Sequence, residues 1–145
     1  MSELTLKAAN EITAAALAKG RELNLKALAV AVLDDRGALK CFGAEDGTSL
    51  RRGEIAIGKA TAALDLGLGT RSVNKMAQER PYFITSVAAP MGGPFVPVPG
   101  GVLIRNAAGA VIGAVGISGD TSDNDEAAAV AGIGAAGFSA DPGAD

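Results

Sequence analysis

Lys59 and Asp125 are the residues on which acid–base chemistry would turn. At helical spacing Lys59 shares a stripe with Ile55, Ala62 and Leu66, so its stem is covered. A lysine removed from water has a depressed pKa and can act as a base or nucleophile. The competing role is a snorkelling lysine whose ammonium reaches water or a carboxylate. Asp125 lies in the acidic run Ser118-Gly119-Asp120-Thr121-Ser122-Asp123-Asn124-Asp125-Glu126 at the start of a helix. It can serve as a base, or orient a ligand or Lys59. Because negative charge already crowds this helix start, Ser118 and Gly119 suit a ligand hydroxyl or ammonium better than a free anion. Asp123 and Glu126 have the spacing of a capping box, the structural alternative for the same run.

Two further features could touch a ligand. Pro99, Gly100, Gly101 and Val102 form a glycine-containing segment whose backbone N–H groups can meet a ligand oxygen, or that simply turns the chain into a strand. Arg51 and Arg52 open a helix and can clamp a carboxylate, or stand as a solvated pair. Gly113, Gly116 and Gly119 do not make a dinucleotide fingerprint, because they lie along a strand; they read as close packing.

Histidine is absent. That removes the commonest general base, every Ser-His or Cys-His nucleophile and the usual haem ligand. With Cys41 as the single cysteine, neither an internal disulfide nor a conventional zinc site can form, and no metal site is expected. The acidic residues lack EF-hand spacing.

The elements that must position these groups follow from pattern and punctuation. Residues 4–23 read as a helix capped by Thr5, and 28–33 as a strand. Asp34-Asp35-Arg36-Gly37 turns the chain into a second strand, Ala38 to about Phe42, followed by loop through Thr48. A helix over 50–67 ends near Gly67, and Thr70 or Ser72 caps a shorter one through Gln78. Phe83–Val87 reads as a third strand, and 88–101 as a Gly- and Pro-rich loop of the kind that carries function. Strands over 102–105 and 110–117 flank a turn at 106–109, a helix runs over about 122–136, and 139–145 reads as a frayed tail. The result is one α+β domain over residues 1–138, with a five-stranded, largely antiparallel sheet covered by helices.

Alternation gives each central strand a bulky and a small face. Leu28, Val30 and Val32 oppose Ala29 and Ala31, while Val111, Val115 and Ile117 oppose Ala114, Gly116 and Ser118. A sheet so built has a shallow floor on which a helix, a second subunit or a ligand can sit closely.

Of the 145 residues, 48% are hydrophobic but only 3% aromatic, with 20 glycines, which favours tight layers and further burial between subunits. A net charge of -3 without a basic run lacks the footprint of a nucleic-acid binder, and stacking aromatics are scarce. The start of the chain has no basic leader, and no run of about 18 apolar residues could span a bilayer. A cytoplasmic protein without membrane or nucleic-acid partners is expected.

Ala31–Gly37, Ala56–Ala62, Pro99–Leu103, Gly109–Gly119 and Asp125 before an Ala-rich helix together resemble the GlcG/HbpS-like family, which includes the C-terminal domain of PduO-type proteins. The resemblance covers nearly the whole chain. It implies a profilin-like α-β-α sandwich, homo-oligomers, and either haem binding or degradation or a role in catabolism. Haem in this sequence would need a ligand other than histidine, from Cys41, Met76, Tyr82 or Met91, or apolar contacts alone. The leading expectation is a domain binding a hydroxylated or carboxylated metabolite near Pro99–Leu103, with Asp125 and Lys59 as acid–base pair. A tetrapyrrole-binding protein and a non-catalytic oligomeric subunit are the alternatives.

Overall fold

The structure is a computed structural model, described over residues 4–145; residues 1–3 lie outside the described residues, and with them part of the expected leader-free start. Among the described residues five helices and five strands follow in the order α1 (Leu6–Glu22), β1 (Ala29–Asp34), β2 (Leu39–Ala44), α2 (Arg52–Leu66), α3 (Thr70–Glu79), α4 (Pro81–Met91), β3 (Gly101–Arg105), β4 (Val111–Ser118), α5 (Ser122–Ala135) and β5 (Ser139–Asp141). The strands form one sheet in the order β2-β1-β4-β3-β5, and every neighbouring pair is antiparallel. The α+β sandwich expected from the sequence is what the chain forms.

The two faces of the sheet differ as the alternation requires. Val30, Val32, Val102, Ile104, Val115 and Ile117 project onto one side, where Ile12 of α1 and Ala128, Ala129 and Ile133 of α5 close a fully buried core. The other side carries Ala29, Ala31 and Ala114, with Leu33 and Leu103, against Ala56, Ala60 and Ala63 of α2. Here the small side chains bring backbones together. A Cβ on Gly116 would stand 1.8 Å from the Ala56 carbonyl oxygen, so α2 rests directly on β4. The shallow floor is therefore occupied by the protein's own helix. One detail of the alternation shifts. The β3–β4 register slips between Ile104 and Arg105, and Val111 packs on the α2 side rather than with Val115 and Ile117.

Thr5 caps α1, its Oγ1 accepting the Ala8 N–H at 3.0 Å, and Gly67 closes α2 in the left-handed region (φ 66°). Two stretches depart from expectation. Phe83–Val87 is helical, within α4, and the helix runs on to Met91, shortening the expected loop. A short apolar run satisfies strand and helix alike, and Pro81, fixed near helical φ at the first helical position, decides for helix. The fifth strand comes instead from the expected tail: Ser139–Asp141 pairs with β3, Asp141 bridging Arg105 at 2.9 Å. Pro142 then accepts the Arg71 N–H at 3.1 Å, and Ala144 donates to the Ser72 hydroxyl at 2.9 Å. Among the described residues, no helix is long and apolar enough to cross a membrane.

Candidate functional site

Lys59 projects from the middle of α2 and Asp125 from the first turn of α5, and the two meet at the end of β4. Lys59 Nζ donates to Asp125 Oδ2 at 3.0 Å and to the Ile117 carbonyl at 2.9 Å. Asp125 Oδ1 accepts the Asp120 N–H at 2.9 Å. Only 2% of Lys59 and 1% of Asp125 is exposed. Burial lowers the lysine pKa, opposed by the Asp125 charge, while the neighbouring Arg52 lowers it further. Burial also raises the Asp125 carboxyl, opposed by Lys59 and by the Asp120 N–H. The lysine expected to be half-covered is thus enclosed, and both oxygens of its partner are engaged. This pair clamps α2, β4 and α5 together.

The glycine segment serves the same clamp. Pro99, Gly100, Gly101 and Val102 are buried. Gly100 adopts φ 120°, accepts the Ile117 N–H at 3.0 Å, and would place a Cβ 2.9 Å from Lys59 Nζ. Gly101 lies so close to α2 that a Cβ would stand 2.2 Å from the Lys59 carbonyl oxygen. Its N–H donates to Thr70 Oγ1 at 2.7 Å, and the Thr70 hydroxyl donates back to the Gly101 carbonyl at 3.1 Å. The Gly101 donor is therefore taken up by Thr70, and residues 99–102 are buried against α2 and β4.

The helix start after Ser118 is also used differently. Thr121, not Asp123, caps α5, its Oγ1 accepting the Asn124 N–H at 3.2 Å. Asp123 and Glu126 instead bind Arg71 of α3, with Glu126 Oε2 at 2.7 Å from the guanidinium. Asp120 accepts the N–H groups of Lys26 and Thr121 and the Asn124 amide, and these bonds hold its carboxyl down at about 2, the Asn124 bond most strongly.

What opens to solvent lies on the far side of Ser118. A cleft of about 180 Å³ is lined by Lys26, Ala27, Gly47, Thr48, Ser49, Arg52 and Gly119. Arg52 Nη1 donates to the buried Ser118 Oγ at 3.1 Å, and this neutral hydroxyl is its one side-chain partner among the described residues. Its neighbour Arg51 turns away and pairs with Glu54. A Cβ on Gly119 would meet the Ala27 carbonyl at 2.2 Å, so this position lets the β4–α5 turn close against the 26–27 backbone. A second, open cleft of about 490 Å³, lined by Arg21, Ala27, Ala44, Glu45 and Asp46, meets the first at Ala27. The structure thus brings Gly119 and Arg52 to one opening, with the buried Ser118 hydroxyl bonded to Arg52, joins Lys59 to Asp125, and leaves Arg51 and the glycine segment elsewhere. Lys26, Thr48 and Ser49 have no signal in the sequence beyond lying in polar connections.

Among the described residues no group of three metal-ligating side chains occurs. The thiol of Cys41 accepts from Thr13 Oγ1 at 3.3 Å and donates to Asn10 Oδ1 at 3.2 Å. Tyr82 is 72% exposed on α4, and Met76 lies on α3; neither lines the two clefts above. The side chain of Met91 is outside the described residues.

A family model described as haem degrading protein HbpS-like matches residues 4–134. The chain belongs to the HbpS-like family. Solved structures agree with the fold of this HbpS-like chain. A PduOC:heme complex superposes with a TM-score of 0.82 at 23% identity, covering 93% of this chain and 96% of that one, a likeness of fold. The Klebsiella pneumoniae protein ORFY gives 0.80 at 26% identity, covering 92% and 90%. HbpS gives 0.79 at 27% identity with the same coverage. No curated protein matches the HbpS-like chain in sequence.

Proposed function

We propose that this HbpS-like chain is a small-molecule-binding domain whose ligand presents a carboxylate to Arg52. The observation that carries this reading is a half-buried guanidinium at the wall of a cleft, held by one neutral hydroxyl and by no carboxylate. Arginine placed this way offers a planar fork to an oxyanion, and such bonds are the strong ones. Lys26, Thr48 and Ser49 supply further donors on the same walls. The role of Lys59 and Asp125 in this reading is positioning, in place of the acid–base role expected from sequence. Their pair fixes Ile117 and Asp120, on either side of the Ser118–Gly119 wall. Exposed Leu39, Phe42 and Leu50 support self-association as part of the same picture.

The test is calorimetric titration with sodium hexanoate at low salt. Arg52→Gln should weaken binding by about tenfold or more, the worth of one charge-assisted hydrogen bond. Arg51→Gln should leave it unchanged. Equal affinity in wild type and Arg52→Gln would remove the proposed seat.

Haem is the second reading, favoured by the family description and by the heme complex of the PduOC relative. The residues of this chain fit it poorly. The cleft of about 490 Å³ is lined by Arg21, Glu45 and Asp46 rather than by apolar side chains, and no thiol, thioether or phenol with a described position faces either cleft. Hemin titration should accordingly give no saturable Soret shift at one equivalent; a sharp one would establish the haem reading over the carboxylate one.

A further inference from the structure

The two clefts have complementary chemistry, and the turn Glu45–Thr48 divides them. Gly47, at φ 92°, lets the chain reverse there, and the Glu45 carbonyl accepts the Thr48 N–H at 3.4 Å. Thr48 faces the smaller cleft and Asp46 lines the larger. The smaller one is cationic, with Arg52 and Lys26. At about 180 Å³ it is below the size of ordinary ligand pockets, room for a head group alone. The larger, about 490 Å³, falls in the usual range for a ligand body.

Within the larger cleft the charged groups are not equivalent. Glu45 accepts the Leu28 N–H at 2.8 Å and pairs with Arg21 at 3.1 Å, so its carboxylate is committed to the fold. Arg21 also donates to the carbonyls of Leu25 and Lys26. Asp46 has no hydrogen bond or ion pair among the described residues, although Arg21 lines the same cleft. One uncommitted carboxylate thus stands in the larger cleft and one guanidinium without a counter-ion in the smaller. The backbone of Ala27 is their common floor.

Resting on the carboxylate seat proposed above, we propose that the ligand is two-ended: an acid head on Arg52 and Lys26, and a body carrying hydroxyl or ammonium donors that bond Asp46 across Ala27. Asp46 is exposed and stays hydrated beside a purely apolar chain, which gains little from walls this polar. A second acid group would be repelled by Asp46 and Glu45. The ligand class is therefore a hydroxylated or amino-substituted monocarboxylate, and dicarboxylates are discriminated against.

The experiment compares three probes of similar length by calorimetry: hexanoate, 5-aminovalerate and gluconate. Wild type should bind 5-aminovalerate or gluconate about threefold more tightly than hexanoate, the worth of a bond to the exposed Asp46 carboxylate. Asp46→Asn should cancel that preference, bringing the probe and hexanoate to similar affinity. A wild type that binds all three alike, or a preference that survives Asp46→Asn, overturns the two-ended ligand but leaves the Arg52 seat standing. Binding that is indifferent to Arg52→Gln overturns the seat itself, so the two failures are told apart.

Discussion

Asp125→Asn is the sharpest perturbation of the buried pair. The asparagine keeps the shape and an oxygen that can accept the Asp120 N–H, but leaves the Lys59 ammonium enclosed at 2% exposure without its counter-charge. Breaking one side of a buried ion pair costs about 3–5 kcal/mol. For a domain of 145 residues each kcal/mol moves Tm by roughly 3 °C, so a drop on the order of 10 °C is expected. Removing both charges, with Lys59→Met added, should recover most of the loss, because a buried pair contributes little net over apolar groups of similar size. The readout is urea unfolding followed by far-UV circular dichroism, since tryptophan is absent. The single variant carries a pH signature as well. Burial already lowers the Lys59 pKa, and without Asp125 no counter-charge offsets it, the Ile117 carbonyl being the acceptor that remains. The folded state then binds fewer protons than the unfolded one as pH rises toward 10.5, so the penalty is relieved in alkali. Asp125→Asn should therefore be more stable at pH 9.5 than at pH 7, and the double variant should not. A cost below about 1 kcal/mol, additive with that of Lys59→Met, would refute the clamp.

Gly116→Ala sets a Cβ 1.8 Å from the Ala56 carbonyl and 2.8 Å from the Ala60 nitrogen. Both are backbone atoms, so α2 must lift; a loss of about 3 kcal/mol or more by urea unfolding is expected. Asp120 supplies an acid-sensitive contribution. With its carboxyl at about 2 when folded and 3.8 otherwise, the stabilisation is complete above pH 4 and is lost as pH falls toward 2. Acid unfolding of Asp120→Asn should show a shallower limb across that window.

The layers were legible because the signals were redundant. The Thr5 cap, the Asp34–Gly37 turn and Gly67 mark boundaries, and the bulky and small faces of β1 and β4 declare two different partners. The reading of Gly113, Gly116 and Gly119 as close packing holds at each position, against Leu33, Ala56 and Ala27. Two failures share a cause. Phe83–Val87 and Ser139–Asp141 are too short for periodicity to speak, and each is decided by something remote or adjacent that the run itself does not show. For α4 it is Pro81; for β5 it is the free edge of β3.

The site resisted reading for a more basic reason. Arg51 and Arg52 are chemically identical neighbours, yet successive helical positions point about 100° apart. That rotation sends Arg51 to Glu54, three residues on, where its charge is satisfied locally. It sends Arg52 across to Ser118, 66 residues away, where it meets only a hydroxyl. Sequence can supply a candidate cation, but whether the cation is left wanting an anion depends on which distant residue the fold brings to it. Here the fold brings a serine at the end of a strand, held in place by Lys59 and Asp125 behind it. Had position 118 been a carboxylate, Arg52 would be neutralised by the protein, and Lys26 alone would remain to draw an acid to the cleft.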